Sequence, residues 1–376
     1  MDQQEILNAI ALTRISNLTL SNLIELYRRV GSATEIMSRA AHIRELVPEA
    51  SKRLEEAFAQ SAESLRFAQQ ELCQMETYGI EPIVMNDERY PCRLRECADA
   101  PLVLYYKGSA DLNQKRVVSI VGTRHATAYG QDLIRRFIAD LRQQCPQVLV
   151  VSGLAYGVDI CAHREALDRG YETIGVLAHG LDTLYPPLHR STADQMLTQG
   201  GLLTEYTTSS RIDKQNFVRR NRIVAGMADA TVLVESAAHG GGLITTRIAR
   251  DYNRDVFAFP GAVGAPYSEG CNQLIRDNGA ALITSASDFV KAMGWQNDAQ
   301  LSAAKQQGIE RQLFPDLTPE EERVVDVLRR QNDLQINMLS VQTGIAAGRI
   351  TAILFSLEMK GIVKTMAGGT YHLFLK

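Results

Sequence analysis

From residue 115 onward, short β-branched apolar runs alternate with stretches of helical periodicity, and this alternation constrains the fold more than any other feature of the chain. The runs lie at 117–121, 148–151, 173–177, 202–204, 230–234, 256–259 and 281–283. Helical patterns fall between them at 129–143, 157–169, 189–199, 216–227, 242–253 and 269–277. The runs are apolar almost throughout, so both faces of each strand need a cover. Such strands separated by helices predict an α/β fold, a Rossmann-like, doubly wound, mostly parallel sheet over about 110–293. Residues 80–108 read as a connection carrying one short strand at 101–106 that Gly108 ends. The extended domain then covers 80–293.

Two smaller modules flank it. Over residues 1–75, apolar residues recur at helical spacing through Ile6, Ile10 and Leu12, then Leu20, Leu23, Ile24, Leu26 and Tyr27. Thr19 or Ser21 is placed to cap a helix and Gly31 to end it. The helix–loop–helix spacing resembles a helix-hairpin-helix or SAM-like module, with Arg14-Ile15-Ser16-Asn17-Leu18 where the glycine-bearing hairpin would stand. Residues 296–315 are polar and rich in alanine and glutamine, the composition of a linker. From 316 to 376 the pattern predicts a winged helix. Thr318-Pro319-Glu320-Glu321 starts a helix that runs to about Arg330, a second lies near 336–342, and Gly344 marks a turn. A third helix covers 347–360 with Ile350, Ile353, Leu354 and Leu357 inward, and strands at 362–365 and 370–374 follow Gly361. That third helix offers Arg349 and Lys360 but few residues that read base edges, so an auxiliary or interaction role is expected rather than reading of a duplex.

With 45% hydrophobic and 22% charged residues among 376, the chain has the balance of a folded protein. The opening MDQQEILNAIALTR lacks a basic-then-apolar leader, and no apolar run approaches the ~18 residues of a membrane span, so a cytoplasmic protein is expected. Six cysteines show no CxxC pair and no histidine partners at zinc spacing, so neither a metal nor any other cofactor is expected. A net charge of −3 lacks the basic footprint of many nucleic-acid binders, which moves attention to where the cations sit.

Ligands of an open α/β sheet bind beyond the carboxyl ends of its strands. The first strand leads into Gly122-Thr123-Arg124, which is not the GxGxxG dinucleotide fingerprint, and no GxxxxGK[ST] loop occurs. What the turn offers is a glycine for close approach and a guanidinium fork for phosphate. The second ends in Ser152-Gly153 ahead of a helix whose N–H groups favour an anion. After the fifth, Gly240-Gly241-Gly242 precedes Thr245 in an anion-cradling turn. Residues 259–261 and 268–272 are expected to complete the same rim. Asp159 and His163, four apart, read as a helix-stabilising pair. Asp182 and Tyr185-Pro186 shape the rim.

The stretch 211–222 holds five basic residues around one phenylalanine: Arg211, Lys214, Arg219, Arg220 and Arg222 with Phe217, and Asn221 beside them. Cations that track phosphates and a ring that stacks a base suit a single strand. The competing reading is an internal ion-pair network with Phe217 in the core.

These residues carry a resemblance to the DprA/Smf family of DNA-processing proteins. The matching segments are VGTRHATAYG (121–130), SGLAYGVDICAHREAL (152–167), VL-x-x-G-x-D-x-x-YP from Val176 to Pro186 and FVRRNRIVAG (217–226). The glycine turn with Leu243-Ile244-Thr245, and FPG with Glu269-Gly270-Cys271-Asn272, complete the set. The resemblance implies sequence-tolerant binding and protection of single-stranded DNA, homodimerisation through the Rossmann-like domain, and handover to the RecA recombinase in natural transformation. It assigns DNA contacts to Arg124, to Lys214 and Phe217, to Arg220, Asn221 and Arg222, and to Gly240, Gly241 and Gly242. The last three replace the family's more frequent Ser-Gly-Ser, which leaves backbone N–H groups to make the contact. The resemblance implies no enzymatic activity. The alternative is a nucleotide-processing enzyme on the same fold, a phosphoribohydrolase of the lysine decarboxylase-like class. That class should carry a Pro-Gly-Gly-x-Gly-Thr loop and a catalytic acid, and neither is present.

Overall fold

Strands form where the apolar runs lie, and the pleat sends their alternate residues to two different cores. Val117 and Val121 of β3 (Val117–Val121) face one layer, and Val118 and Ile120 face the other. The computed structural model describes residues 2–295, 317–366 and 370–373. The expected linker at 296–315 lies outside the described residues.

Residues up to 295 belong to one compact unit. It opens with α1 (Gln3–Leu12), α2 (Leu20–Val30), α3 (Ala33–Ser38), α4 (Lys52–Ala59) and α5 (Ser61–Tyr78). Thr19, rather than Ser21, caps α2, and Gly31 ends it at φ +83°. Glu5 ties α1 to α3 by accepting from the N–H groups of Ala33 at 2.6 Å and Thr34 at 2.9 Å. Burial opposes its charge, but these bonds and the Thr34 and Ser32 hydroxyls hold the carboxyl below its ordinary range.

The expected separation of this helical region at residue 75 is not a break in packing. Its apolar residues share one core with Leu149, Val151, Ile174 and Val176 of the sheet and with Ile223 on the helix at 214–227. Buried Glu71 of α5 reaches into the sheet region, accepting from the N–H of Thr208 at 2.5 Å and from its hydroxyl at 2.8 Å. Arg28 of α2 donates to the carbonyls of Arg95 and Cys97 at 2.7 and 2.8 Å.

The segment expected as a connection adds two strands, β1 (Glu81–Val84) and β2 (Val103–Gly108), with the short α6 (Cys92–Arg95) between them. They pair antiparallel along one edge of the sheet. Then follow α7 (Ala128–Gln144), β4 (Leu149–Ser152), α8 (Val158–Asp168), β5 (Thr173–Val176), α9 (Arg190–Thr198), β6 (Gly200–Thr204), α10 (Lys214–Met227), β7 (Ala230–Leu233) and α11 (Gly241–Asp251). The unit closes with β8 (Asp255–Ala258), α12 (Glu269–Arg276), β9 (Ala281–Leu282) and α13 (Ala286–Ala292). The strand order is β1-β2-β6-β5-β4-β3-β7-β8-β9, parallel from β6 to β9. The chain builds outward from β3 in one direction and returns to lay β7 on its other side, which puts the topological switch between β3 and β7.

The second unit folds as expected for a winged helix. Helices α14 (Pro319–Arg330), α15 (Ile336–Thr343) and α16 (Ala347–Met359) pack with β11 (Val363–Met366) and β12 (Thr370–Leu373), and a short β10 (Leu334–Gln335) widens the hairpin to three strands. Ile350, Ile353, Leu354 and Leu357 fill its core. Thr318 and Glu321 form a reciprocal capping box at the start of α14. No single helix among the described residues is long and apolar enough to cross a membrane.

Candidate functional site

At the switch point the turns after β3, β4 and β7 meet the first half of α10 around a cleft of about 230 Å³. Of the residues singled out in sequence, Gly122, Thr123, Arg124, Gly153, Phe217, Arg220, Asn221, Gly240, Gly241, Gly242 and Thr245 line it. Two of the three turns approach so closely that a Cβ on Gly242 would lie 3.1 Å from Gly122 Cα.

The β3 turn is held in place by main-chain bonds. Thr123 N–H donates to the Glu235 carbonyl at 2.8 Å, and its own carbonyl accepts from Val158 N–H at 3.1 Å. Buried Glu235 then fixes the start of α7, accepting from Thr127 N–H at 2.9 Å and from its hydroxyl at 2.6 Å. Arg124 is thereby presented in the open, its guanidinium 5.5 Å from the centre of the half-buried Phe217 ring. Tyr185 meets the same ring edge-to-face at 5.9 Å. His179 sets the Tyr185 turn: its Nδ1–H donates to the Gly180 carbonyl at 2.8 Å and its Nε2 accepts from Tyr185 N–H at 3.2 Å. Asp182 anchors the neighbouring loop by accepting from Ser209 N–H at 3.0 Å.

On the opposite wall, α11 begins at Gly241, after Gly240, with no side chain capping it. Gly240 N–H donates to the Ala237 carbonyl at 3.0 Å and Leu243 N–H to the Gly240 carbonyl at 3.1 Å, so the N–H groups left for a ligand are those of Gly241 and Gly242, where the aligned peptides add partial positive charge. The β4 turn differs from what its sequence suggested. The Asp159 carboxylate occupies Ala155 N–H at 3.4 Å, and Val158 N–H is taken by Thr123, so this helix start is not open to an anion. Ser152 is fully buried and donates to the Ile120 carbonyl at 2.6 Å. Its hydroxyl holds two strands together and does not reach the cleft.

The three consecutive residues Arg220, Asn221 and Arg222 separate. Successive helical residues turn by about 100°, so three in a row cannot face one groove. Arg220 lies under the β4 turn, 4% exposed, donating to the carbonyls of Gly153 at 2.5 Å and of Val176. A Cβ on Gly153 would sit 2.5 Å from that guanidinium. Burial pushes the Arg220 pKa down against the pull of Asp159, and burial likewise pushes the Asp159 carboxyl up against the pull of Arg220. Asn221 faces the cleft and accepts from Arg220 Nε at 3.3 Å. Arg222 turns away. It is 5% exposed, paired with Glu205 and bonded to the Asp99 carbonyl at 2.5 Å, and is not a cleft residue. The internal-network reading therefore describes Arg220 and Arg222, whereas Phe217 and Asn221 belong to the cleft. Lys214 begins α10 in solvent beside the cleft lining rather than within it.

A family model described as DNA recombination-mediator protein A matches residues 81–294, more than half of the chain, and one for the DprA winged helix domain matches 310–369. The chain belongs to the DprA family. This places it among DNA-processing proteins. Protein Smf of Escherichia coli is 31% identical, with 80% of each chain covered. The X-ray structure of DNA processing protein A from Streptococcus pneumoniae superposes with a TM-score of 0.65 at 30% identity, over 78% of this chain and 98% of that one. DNA processing protein A from Helicobacter pylori, whose structure is described for its single-stranded DNA binding mode, gives 0.52 at 26% identity over 57% and 95%.

Two further expectations are corrected. Asp159 and His163 do not pair, because His163 Nδ1 meets the Thr173 hydroxyl at 2.7 Å while Asp159 faces its own turn and Arg220. Burial lowers the His163 pKa to about 3, leaving a neutral core imidazole. Residues 259–261 and 268–272 do not complete the cleft: Pro260, Gly261 and Ser268 line a separate hollow on the far side of the β7 turn, and Phe259 and Cys271 are buried in the core. The sequence reading also passed over Val218, 49% exposed on the cleft wall. Exposed apolar residues flanking an arginine-rich run were the available signal.

Proposed function

We propose that this protein binds single-stranded DNA, with little sequence preference, in the cleft between the β3 turn, α10 and the start of α11. The observation that carries the reading is the Arg124–Phe217 pair facing the uncapped α11 N-terminus. A cation for phosphate, a ring for a base and free N–H groups for a second phosphate are the components of sequence-tolerant single-strand recognition. Among the residues that line the cleft only Asn221 carries a side-chain amide suited to a base edge, which supports tolerance of sequence.

The bound strand would be protected and passed to the RecA recombinase during DNA uptake and recombination, by a homodimer formed through the Rossmann-like domain in the cytoplasm. Membership of a family described as a recombination mediator supports that part of the reading. Binding is favoured over catalysis because Asp159, the acid lining the cleft, accepts from Ala155 N–H in its own turn.

Gel-shift titrations with single- and double-stranded oligonucleotides at several salt concentrations test the proposal. Preference for the single strand, with affinity falling as salt rises, is expected. Equal or stronger binding of the duplex would contradict it. Incubation with nucleoside monophosphates should release no free base, and release would favour the enzyme reading.

A further inference from the structure

The β3–α7 turn serves two hollows. Its start at Gly122, Thr123 and Arg124 lines the cleft, and its end at Thr127, with Tyr129 of α7, lines a second hollow of about 460 Å³. Pro260, Pro266 and Tyr267 stand in the remaining wall, and no Lys or Arg lines it. The one carboxylate present, Glu235, is 3% exposed and bonded to Thr127. A phosphate finds no counter-charge there, but a flat apolar ring finds aromatic and proline faces.

The walls are fixed. Tyr129 Oη donates to the Pro260 carbonyl at 2.8 Å, which orients a ring that is 45% exposed. Asn272 clamps the Gly261 peptide from both sides, its Oδ1 accepting at 3.1 Å and its Nδ2 donating at 3.0 Å. Ser236 N–H donates to the Tyr267 carbonyl at 2.7 Å. A binding surface ordered in advance gives up little freedom when it is occupied.

The β3–α7 turn spans the ground between the two hollows. Exposed His125 stands between them with its ring 6.1 Å from that of Tyr267, inclined at 30°. The three residue steps from Arg124 to Thr127 reach at most about 11 Å. A stacked strand rises about 3.4 Å per nucleotide along its axis, so a strand leaving the cleft covers that distance within a few nucleotides.

We infer that this hollow is a second nucleobase site for the same single strand, with a base stacked on Tyr267 and bounded by Tyr129 and the two prolines. The inference rests on the cleft reading and adds to it a direction, past Arg124 and His125 toward α12.

Fluorescence anisotropy with thymidine oligomers about 4 to 16 nucleotides long tests it on the full chain. Phe217→Ala is expected to weaken binding at every length. Tyr267→Ala should leave the shortest bound oligomer unaffected and weaken longer ones about five- to hundredfold, with the salt slope unchanged because no phosphate contact is lost. Tyr267→Phe should bind as wild type. Wild-type behaviour of Tyr267→Ala at all lengths, while Phe217→Ala is impaired, overturns the second site alone. Full binding by both alanine variants overturns the cleft reading and the second site together. If Tyr267→Ala fails to fold, a fluorescent purine analogue moved along the oligomer gives the same decision with wild-type protein. Two separated quenched positions support the inference, and a single one overturns it.

Discussion

Arg220 Nη1 donates to the carbonyl of Gly153 at 2.5 Å, so an arginine from the arginine-rich stretch 211–222 acts inside the fold, beneath the β4 turn. Removing it strands the Gly153 and Val176 carbonyls and leaves Asp159 without its counter-charge. Arg220→Ala should lower stability by about 3–5 kcal/mol, the cost of breaking a buried charged contact. Denaturant unfolding checks this, and a loss below about 1 kcal/mol would show that the contact is not structural.

Arg222 gives a sharper separation of structure from binding. Arg222→Met alone leaves Glu205 buried and unpaired, and should destabilise by a similar amount. Adding Glu205→Leu should restore most of the loss, because an apolar pair of similar volume tolerates burial. The double variant should keep wild-type affinity for single-stranded DNA. A stable double variant with weakened binding would return Arg222 to the binding surface.

The glycine turn can be probed at one position without disturbing the packing. A Cβ on Gly241 meets nothing within 4 Å, whereas one on Gly242 would lie 2.6 Å from Leu233 Cδ1. Gly241→Ala should leave the unfolding temperature unchanged or slightly higher and still weaken single-strand binding, by placing a methyl between the strand and the α11 N–H groups. Unchanged affinity would remove the start of α11 from the contact.

The parallel strands were legible because their two-sided burial demands apolar runs, and β3 lies where its run predicts. The edge strand β1 was not: Glu81 is exposed and Pro82 reads as a breaker, yet an edge position tolerates both. For the cleft, turn residues such as Gly122 and Gly241 could be read from position alone. The side chains of α10 could not, because Arg220 and Arg222 are chemically suited both to phosphate and to buried carbonyl or carboxylate partners. Glu205 and the Gly153 carbonyl, distant in sequence, decide between those roles. The continuity of the N-terminal helices with the sheet likewise depends on Glu71 meeting Thr208, a long-range bond with no local signature.

In the winged-helix unit Arg349 of α16 and Lys360, the residue that ends it, are both held by carboxylates of α14. Arg349 pairs with Glu320 at 2.9 Å and Lys360 with Glu321 at 2.9 Å. Burial of Glu321 opposes its charge, but bonds from Lys360, Thr318 N–H and Ser356 outweigh it and bring the carboxyl to about 2. A depressed carboxylate stabilises above its unfolded pKa of about 4.5. That contribution, on the order of 2–3 kcal/mol, should disappear as pH falls from about 4.5 toward 2. Amide hydrogen exchange across α14 and α16 should show the loss, and Glu321→Gln should flatten the dependence.

The most direct test of the cleft is the salt dependence of single-strand affinity for wild type and Arg124→Ala, with the Arg222→Met, Glu205→Leu double variant as the control. Binding through Arg124 predicts a log–log slope shallower by about 0.7 in Arg124→Ala, one phosphate contact fewer, and an unaltered slope in the control. Identical slopes and affinities for wild type and Arg124→Ala would contradict the account.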